Sequence, residues 1–568
     1  MTTITFERPL VFNADFAVLN GDWLRAIINS GRYTVQSVGS SRAVLVGTTE
    51  SGMAGWRVEL TAVDTFTTSA VAGIPFHGAI AQVELYDPSG FLVCVVDDLP
   101  LATSLSALGL IGASGVEFLG SLDGDTITGS AAEDVIDGDS GPDVLHGGPG
   151  NSADLLIGGP GADTLSGGGG DDLILAGDGI DRIDAGAGND IVFLNEVEAF
   201  DEVWLDQAAP AGHYRVDGAE LVIVGELGSR IHGGANNDAV IGGDGVDEMD
   251  GAGGDDFLIG LAGQDVLRGQ AGDDWLSGGP GADQLDGGAG FDGVDYSDAE
   301  GALTIDLRIT SAQQTGGGLD VLTGIEGIWG SEFGDTLTGD AQGNYLEGDP
   351  GDDLLNGLEG DDELSGWTGA DRVFGGGGND TIDDASGANF LRGEDGDDWI
   401  KGGADTDDAH GNMGNDTVEG GAGDDWVVGG KDNDLLSGDS GGDVVLGNLG
   451  TDTLDGGEGN DVVRGGQADD IVRGGVGNDW ISGDRGTDTM TGGSGADIFH
   501  TFDGAGVDRV TDFNSAEGDR VYLLPGTQYS TAQVGADTVV TVTGAEGGQL
   551  VLVGVQLSGL PTGWIFGP

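Results

Sequence analysis

Cysteine is almost missing from this chain. Cys94 stands alone, so no disulfide can brace the fold internally. Disulfides commonly support extracellular folds, and bound metal can take their place. Basic residues are scarce too: 19 Lys plus Arg face 100 Asp plus Glu, for a formal net charge of -81. Such a chain repels nucleic acid phosphates and anionic membranes, which excludes both as partners. Aromatic residues make up only 6%, and high charge with few aromatics ordinarily signals disorder. No apolar run is long enough to span a membrane. The opening stretch, Met1 to Phe16, lacks a basic start followed by an apolar core, so it does not read as a Sec-type signal peptide. That leaves a cytoplasmic protein or export by another route. None of the six histidines lies in a His-Glu-x-x-His arrangement, so a zinc protease is unsupported.

What the chain does have is glycine, 116 of 568 residues, and a strict period. A nine-residue phrase, Gly-Gly-x-Gly-x-Asp-x-(apolar)-x, recurs along most of the length. One copy is Gly456-Gly457-Glu458-Gly459-Asn460-Asp461-Val462-Val463-Arg464. Disorder requires no register, so the period argues for a fold, one that forms only with a counterion.

The phase divides the chain. Residues 1–119 have none; they alternate in strand fashion, as in Tyr33 to Val38, Arg42 to Val46, Trp56 to Leu60, Gln82 to Tyr86 and Phe91 to Val95, which predicts a small antiparallel β-domain. Repeat arrays cover 120–193, with a two-residue insertion at Ser152-Ala153, then 233–295 and 330–500. Spacers at 194–232 and 296–329 each contain a predicted strand, Glu220 to Val224 and Leu303 to Leu307. The tail, 501–568, returns to strands at Arg520 to Leu524, Thr538 to Val542 and Gln549 to Val553.

Each copy reads as six turn residues and a three-residue strand. Position eight is apolar and points inward, as at Leu337, Leu346, Leu355, Leu364, Val373 and Ile382, while its neighbours point out. Two copies make one coil with strands on opposite sides. No copy can bury its apolar residue alone, so coils must stack into two parallel sheets with a thin core. The fold class expected is all-β: calcium-bound parallel β-roll (β-solenoid) arrays with a small N-terminal antiparallel β-domain and a β-rich C-terminal module.

The turns carry the chemistry. Gly at positions one, two and four permits positive φ and close backbone approach, aiming carbonyls between adjacent turns. Position six adds a carboxylate. Calcium takes six to eight oxygens, and carbonyls with carboxylates supply them. The candidate ligands are Asp125, Asp134, Asp143, Asp154, Asp163, Asp172, Asp181 and Asp190 in the first array. The second supplies Asp238, Asp247, Asp256, Asp265, Asp274, Asp283 and Asp292. The third supplies Asp335, Asp353, Asp362, Asp371, Asp380, Asp398, Asp407, Asp416, Asp425, Asp434, Asp443, Asp452, Asp461, Asp470, Asp479, Asp488 and Asp497. Asn344 and Asn389 replace Asp in two copies, offering an oxygen without charge. The copy at 402–410 has Asp405 at position four and a weak core residue, Ala409. Poor sites are expected near these three copies.

Stacked strands lie about 4.8 Å apart. Two carboxylates at that spacing repel by roughly 3.5 kcal/mol at an effective dielectric near 20. An ion between them reverses the sign. At one ion per turn gap, about 30 ions would add roughly +60 and offset most of the chain's charge.

Copies such as Gly474-Gly475-Val476-Gly477-Asn478-Asp479-Trp480-Ile481-Ser482 resemble the RTX, or haemolysin-type calcium-binding, nonapeptide repeat. The resemblance implies a calcium-filled parallel β-roll and export from a Gram-negative bacterium by type I secretion machinery, under an uncleaved C-terminal signal. Asp508-Arg509-Val510-Thr511-Asp512-Phe513, Gly518 to Val521 and the apolar end Gly563-Trp564-Ile565-Phe566 resemble the terminal module of such exported proteins. Gly290 to Ser297 is similar to linkers between arrays in large RTX proteins.

RTX arrays often accompany a catalytic domain. Gly438-Asp439-Ser440-Gly441-Gly442 matches a serine-hydrolase pattern, but it occupies positions one to five of a repeat in phase and lacks a strand-to-helix elbow. His146, His232 and His410 read as exposed variable positions, His77 as structural, and Asp97-Asp98 as a strand end. A pore-forming toxin wants long apolar helical stretches, which are missing. Two functions remain. One is a non-enzymatic extracellular component of a surface layer, matrix or adhesive, whose partner is a cell-surface glycan or a second copy of itself. The alternative is an exported enzyme or toxin with its active site in 1–119 or a spacer.

Overall fold

The computed structural model describes five strands between residues 33 and 97, then residues 117–121, 124–194, 202–206, 210, 213–225 and 227–567. The five early strands are Tyr33–Gly39, Arg42–Gly47, Arg57–Ala62, Ile80–Tyr86 and Leu92–Asp97. They form one antiparallel sheet in sequence order, as the alternation predicts. His77 and Asp98 lie outside the described residues.

The chain divides into two compact units, Met1–Glu300 with Ile309–Gly327, and Gly301–Arg308 with Ile328–Pro568. In the first, repeats coil so that every second strand pairs in parallel. Leu173 sits beside Leu155 and Ile191 beside Leu173, while Thr164 sits beside Val144 and Arg182 beside Thr164. The step is eighteen residues, two copies per coil. It is twenty where Leu155 meets Val135 and where Thr164 meets Val144, the two steps that contain Ser152-Ala153. Position eight fills the core: Ile136, Leu145, Leu156, Leu165, Ile174 and Ile183 are fully buried.

The stretches between arrays add strands to the ladders of their own units. Leu221–Val224 lies between Ile191–Leu194 and Ala239–Ile241, and Tyr214–Asp217 pairs with Arg182–Ala187. Leu319–Thr323 pairs with Gln284–Ala289. These strands lack the nine-residue phase but keep the period-two alternation, which suffices to place a residue in the core.

The second unit repeats the plan, with Thr304–Asp306 pairing Thr336–Thr338 and successive coils following. Strands here are often six residues long, not three. Val462–Gln467 and Trp480–Arg485 pair through positions seven to nine and on through the glycines that begin the next copy. The Gly-Gly step is thus part of the ladder. Past the repeats, Gly506–Val510 pairs in parallel with Thr489–Ser494 and with Gly548–Leu552. Asp537–Thr543 then runs antiparallel between Gly548–Leu552 and Gln528–Val534. On the other sheet, Ile565–Phe566 pairs with Arg520–Tyr522. No α-helix occurs among the described residues, and none is long and apolar enough to cross a membrane.

Candidate metal sites

Coiling brings each position-six aspartate beside its equivalent one coil away, and the contact has one form throughout. The N–H of Asp443 donates to Oδ1 of Asp461 at 2.9 Å, and the N–H of Asp461 donates to Oδ1 of Asp479 at 3.0 Å. Asp265 to Asp283 and Asp163 to Asp181 do the same at 2.8 Å. One carboxylate oxygen therefore satisfies a buried backbone donor. The other, Oδ2, is buried without a hydrogen-bond partner in every candidate except Asp125, Asp134, Asp154, Asp238, Asp247 and Asp335. A row of buried, unpartnered anionic oxygens is costly unless a cation meets them.

The glycines shape the space those oxygens face. A Cβ placed on Gly456, position one, would lie 2.4 Å from the Gly474 carbonyl oxygen and 2.7 Å from Asp461 Oδ2. Position one is therefore glycine for want of room, not for its φ. Left-handed φ falls at positions two and four, as at Gly457 (φ 102°) and Gly459 (φ 151°). Position two keeps that conformation with other residues: Asn412, Asn448 and Asp484 sit there at φ 82°, 73° and 64°. Asp405 holds the position-four conformation at φ 75° without glycine. The turn at Gly456 thus presents one carboxylate oxygen and one carbonyl to a small cradle. Among the described residues, no three His, Cys, Asp or Glu side chains gather into a metal-holding cluster. A cation here would be held by carboxylate and backbone oxygens, a donor set that suits calcium and not zinc or copper.

Electrostatics agrees. Burial pushes the Asp434 and Asp470 carboxyls up to about 8 and that of Asp443 to about 7; donated backbone N–H groups pull them down, and neighbouring aspartates push them further up. With no cation, these groups favour the protonated form near neutrality.

The rows have ends. Asp335 Oδ2 accepts from the Ser331 N–H at 2.7 Å and Asp238 Oδ2 from the Gly234 N–H at 2.7 Å, so these array-leading aspartates satisfy Oδ2 locally. Asp134 uses Ser130 likewise, and Asp247 uses Gly243. At the trailing ends, acids outside the phase take over. Glu220 accepts from the N–H of Asp190, Asp320 from Asp283, Glu326 from Asp292, Asp508 from Asp488 and Asp519 from Asp497. The nine-residue register misses all five. Asp508 could have been found, since Asp508-Arg509-Val510 reads as positions six to eight with the row displaced by two residues.

The other candidates stand apart from these turns. Ser440 ends the strand Leu435–Ser440, exposed, its hydroxyl donating to the Gly421 carbonyl at 3.3 Å. The histidines are half-buried, not exposed. His232 stacks on Trp204 with ring centroids 4.2 Å apart, and His410 lies 2.7 Å from Asp408. Trp204 lies across the ladder from His232, and Arg392 from His410. Asn344 Oδ1 accepts from the Asp340 N–H at 2.7 Å, and Asn389 Oδ1 from Asp371 at 2.9 Å.

Parallel coils whose turns carry a carboxylate row and glycine cradles define a metal-binding β-solenoid. The RTX calcium-binding nonapeptide repeat matches residues 119–196, 225–294 and 329–499 in overlapping copies, more than half of the chain. The protein belongs to that calcium-binding repeat family. No curated protein matches it. Among solved structures, it is similar to the extracellular lipase LipA from Serratia marcescens at 14% identity and a TM-score of 0.12, over 68% of this chain and 44% of the lipase chain. The chain thus spans less than half of that lipase, and a likeness of this size carries no argument about activity.

Proposed function

We propose that this is an exported protein whose arrays fold on meeting calcium outside the cell, and that its role is non-enzymatic. The row of buried Oδ2 atoms without donors carries this reading. Where calcium is scarce, repulsion along the rows keeps the chain unfolded and fit to thread a type I secretion channel of a Gram-negative bacterium. Where it is plentiful, each ion replaces a proton and a repulsion with an attraction, and binding free energy becomes folding free energy. The resulting coil is a spacer or lattice element of a surface layer, matrix or adhesive. Residues 1–119 are the part that meets a cell-surface glycan or another copy of the chain. Circular dichroism with calcium and with chelator tests the folding step: equal β content in both would sink it. Electron microscopy of the calcium-loaded protein tests the role, with sheets or filaments expected. A hydrolase panel on the same sample is expected to be blank; reproducible turnover there would overturn the non-enzymatic reading.

A further inference from the structure

One face of the second unit alternates with a period of two coils. Position seven there reads Thr381, Trp399, Thr417, Leu435, Thr453, Ile471, each directly beside the next on the parallel ladder. Large apolar residues and threonines take turns. Trp399, Leu435 and Ile471 are 37%, 53% and 43% exposed, so they are the projections of this face. Position nine, two residues along each strand and on the same side, reads Asp383, Lys401, Glu419, Ser437, Asp455, Arg473. The anions stand on the threonine coils and the cations on coils with a large residue. The opposite sheet has no such alternation: its position seven reads Arg372, Phe390, Asp408, Trp426, Val444, Val462.

Within one copy, Lys401 already lies 3.3 Å from Asp383, and both stay about half exposed. That pairing accounts for neighbouring charges of opposite sign. It does not explain why the projections keep step with the cations.

A face with both alternations in step is complementary to itself. Rotating a second copy about a two-fold axis that runs along the strands, between Thr417 and Leu435, sets position seven over position seven and position nine over position nine, with the coil order reversed. Every projection then meets a threonine: Trp399 meets Thr453, Ile471 meets Thr381 and Leu435 meets Thr417. Lys401 meets Asp455, and Arg473 meets Asp383. The pair Asp383 and Lys401 of one copy closes with Arg473 and Asp455 of the other into a square of alternating sign, formed twice by symmetry. Sliding one copy by a single coil puts large residues on large residues and like charge on like charge.

We propose that this face joins two copies of the chain, antiparallel, in the calcium-filled state. The proposal rests on the reading that the turns fill with calcium, since a bare chain of net charge -81 repels its own copy. From Thr381 to Ile471 the face is only about 24 Å long, which places the contact at the small, reversible end of protein interfaces.

The test is the mass of the full-length protein in calcium, followed by sedimentation velocity over a range of concentrations, with circular dichroism to confirm that each sample is folded. Wild type is expected to pass from monomer to dimer, less readily as salt is added. Lys401→Glu/Arg473→Glu removes both cations of the face, and Asp383→Lys/Asp455→Lys removes their two partners. Each double variant alone should dimerise more than about tenfold more weakly than wild type. Mixed in equal amounts, the two variants should dimerise again, because each supplies the charges the other has lost. A folded wild type that stays monomeric would overturn the proposal and leave the face to another occupant, such as a polysaccharide. Dimerisation that neither variant weakens, or that mixing does not restore, would overturn it too and put the contact elsewhere, for instance in residues 1–119. A chain that calcium does not fold would overturn the reading beneath it as well.

Discussion

The N–H of Asp443 donates to Oδ1 of Asp461 at 2.9 Å, while Oδ2 of Asp461 remains buried and unpartnered. The two oxygens of one side chain thus have different tasks. Oδ1 completes the backbone between coils whatever the ion does, and Oδ2 is left for the cation.

That division predicts a split between two substitutions. Asp461→Asn keeps an Oδ1 acceptor, as Asn389 does for Asp371. It should cost one calcium ion and leave the calcium-loaded fold close to wild type. Asp461→Ala also strands the buried Asp443 N–H, a penalty of about 1–3 kcal/mol. Urea unfolding in saturating calcium should rank wild type, then Asn, then Ala. If Asn and Ala were equally destabilised, Oδ1 would not have the backbone role assigned to it.

The rows also predict a pH dependence. Burial raises the folded, ion-free pKa of Asp434 and Asp470 to about 8 and of Asp443 to about 7, above the unfolded value of 3.8. The ion-free coil therefore binds more protons than the unfolded chain between about pH 4 and 8, and its stability falls as pH rises through that window. Without calcium, β structure should appear on acidification below about pH 6 and be lost toward pH 8. Between about pH 6 and 8 the unfolded chain and the calcium-filled coil are both deprotonated, so the calcium needed for half-folding should not rise as pH drops, and should fall where the protonated coil appears. Circular dichroism against pH, with and without chelator, measures both; an ion-free coil that grew more stable with rising pH would contradict the burial argument.

Position one and position two should answer differently to added side chains. At Gly456 a Cβ enters the space between the Gly474 carbonyl and Asp461 Oδ2, so Gly456→Ala should lose one ion and about 1–3 kcal/mol. At Gly457 a Cβ would lie 2.0 Å from the Asp439 carbonyl oxygen, so a side chain there needs both the left-handed φ that Asn412 and Asn448 hold and a small backbone shift away from that carbonyl. Gly457→Asn should therefore cost about 1–2 kcal/mol while keeping full calcium stoichiometry, since no carboxylate oxygen lies in the way. Ala176 and Ala185 stand at position one in the first array, fully buried, so a methyl is accommodated in those two turns. Bound calcium measured in the two variants side by side reads the difference.

The register made the coil legible, because a period of nine with one apolar position leaves the core only one way to close. Leu337, Val373 and Ile382 are buried as position eight requires. The period also placed Asp461 and its equivalents in rows. It read close approach at the first glycine correctly but assigned it a positive φ as well, which Gly456 does not have. It missed Glu220, Asp320 and Glu326 because they reach their partners across 30, 37 and 34 residues, not eighteen. Such distances follow from how the intervening strands fold back onto the ladder, which no nine-residue window contains. The histidines were misplaced for a related reason: the cover over His232 comes from Trp204, which is close only in space.

The far end of the second unit offers a last prediction, in which packing and calcium should appear as one quantity. Phe499 stands at position eight where most copies have an aliphatic residue, and it is fully buried. Its ring contacts Phe513 at a centroid distance of 6.0 Å, and Phe513 in turn meets Trp564 at 6.3 Å. A Cβ on Gly492 would lie 2.9 Å from its Cζ, so the ring also fills the space beneath that turn. Phe499→Ala should remove about 3–5 kcal/mol from the calcium-loaded state. The ion-free chain has no such packing to lose, so the whole cost falls on the folded side of the equilibrium. The variant should still bind calcium with the same stoichiometry but require a higher free concentration to fold, because more ion binding must offset the missing contacts. A calcium titration followed by intrinsic fluorescence and circular dichroism measures the shift. An unchanged midpoint would mean that this end of the coil folds independently of the rows it caps.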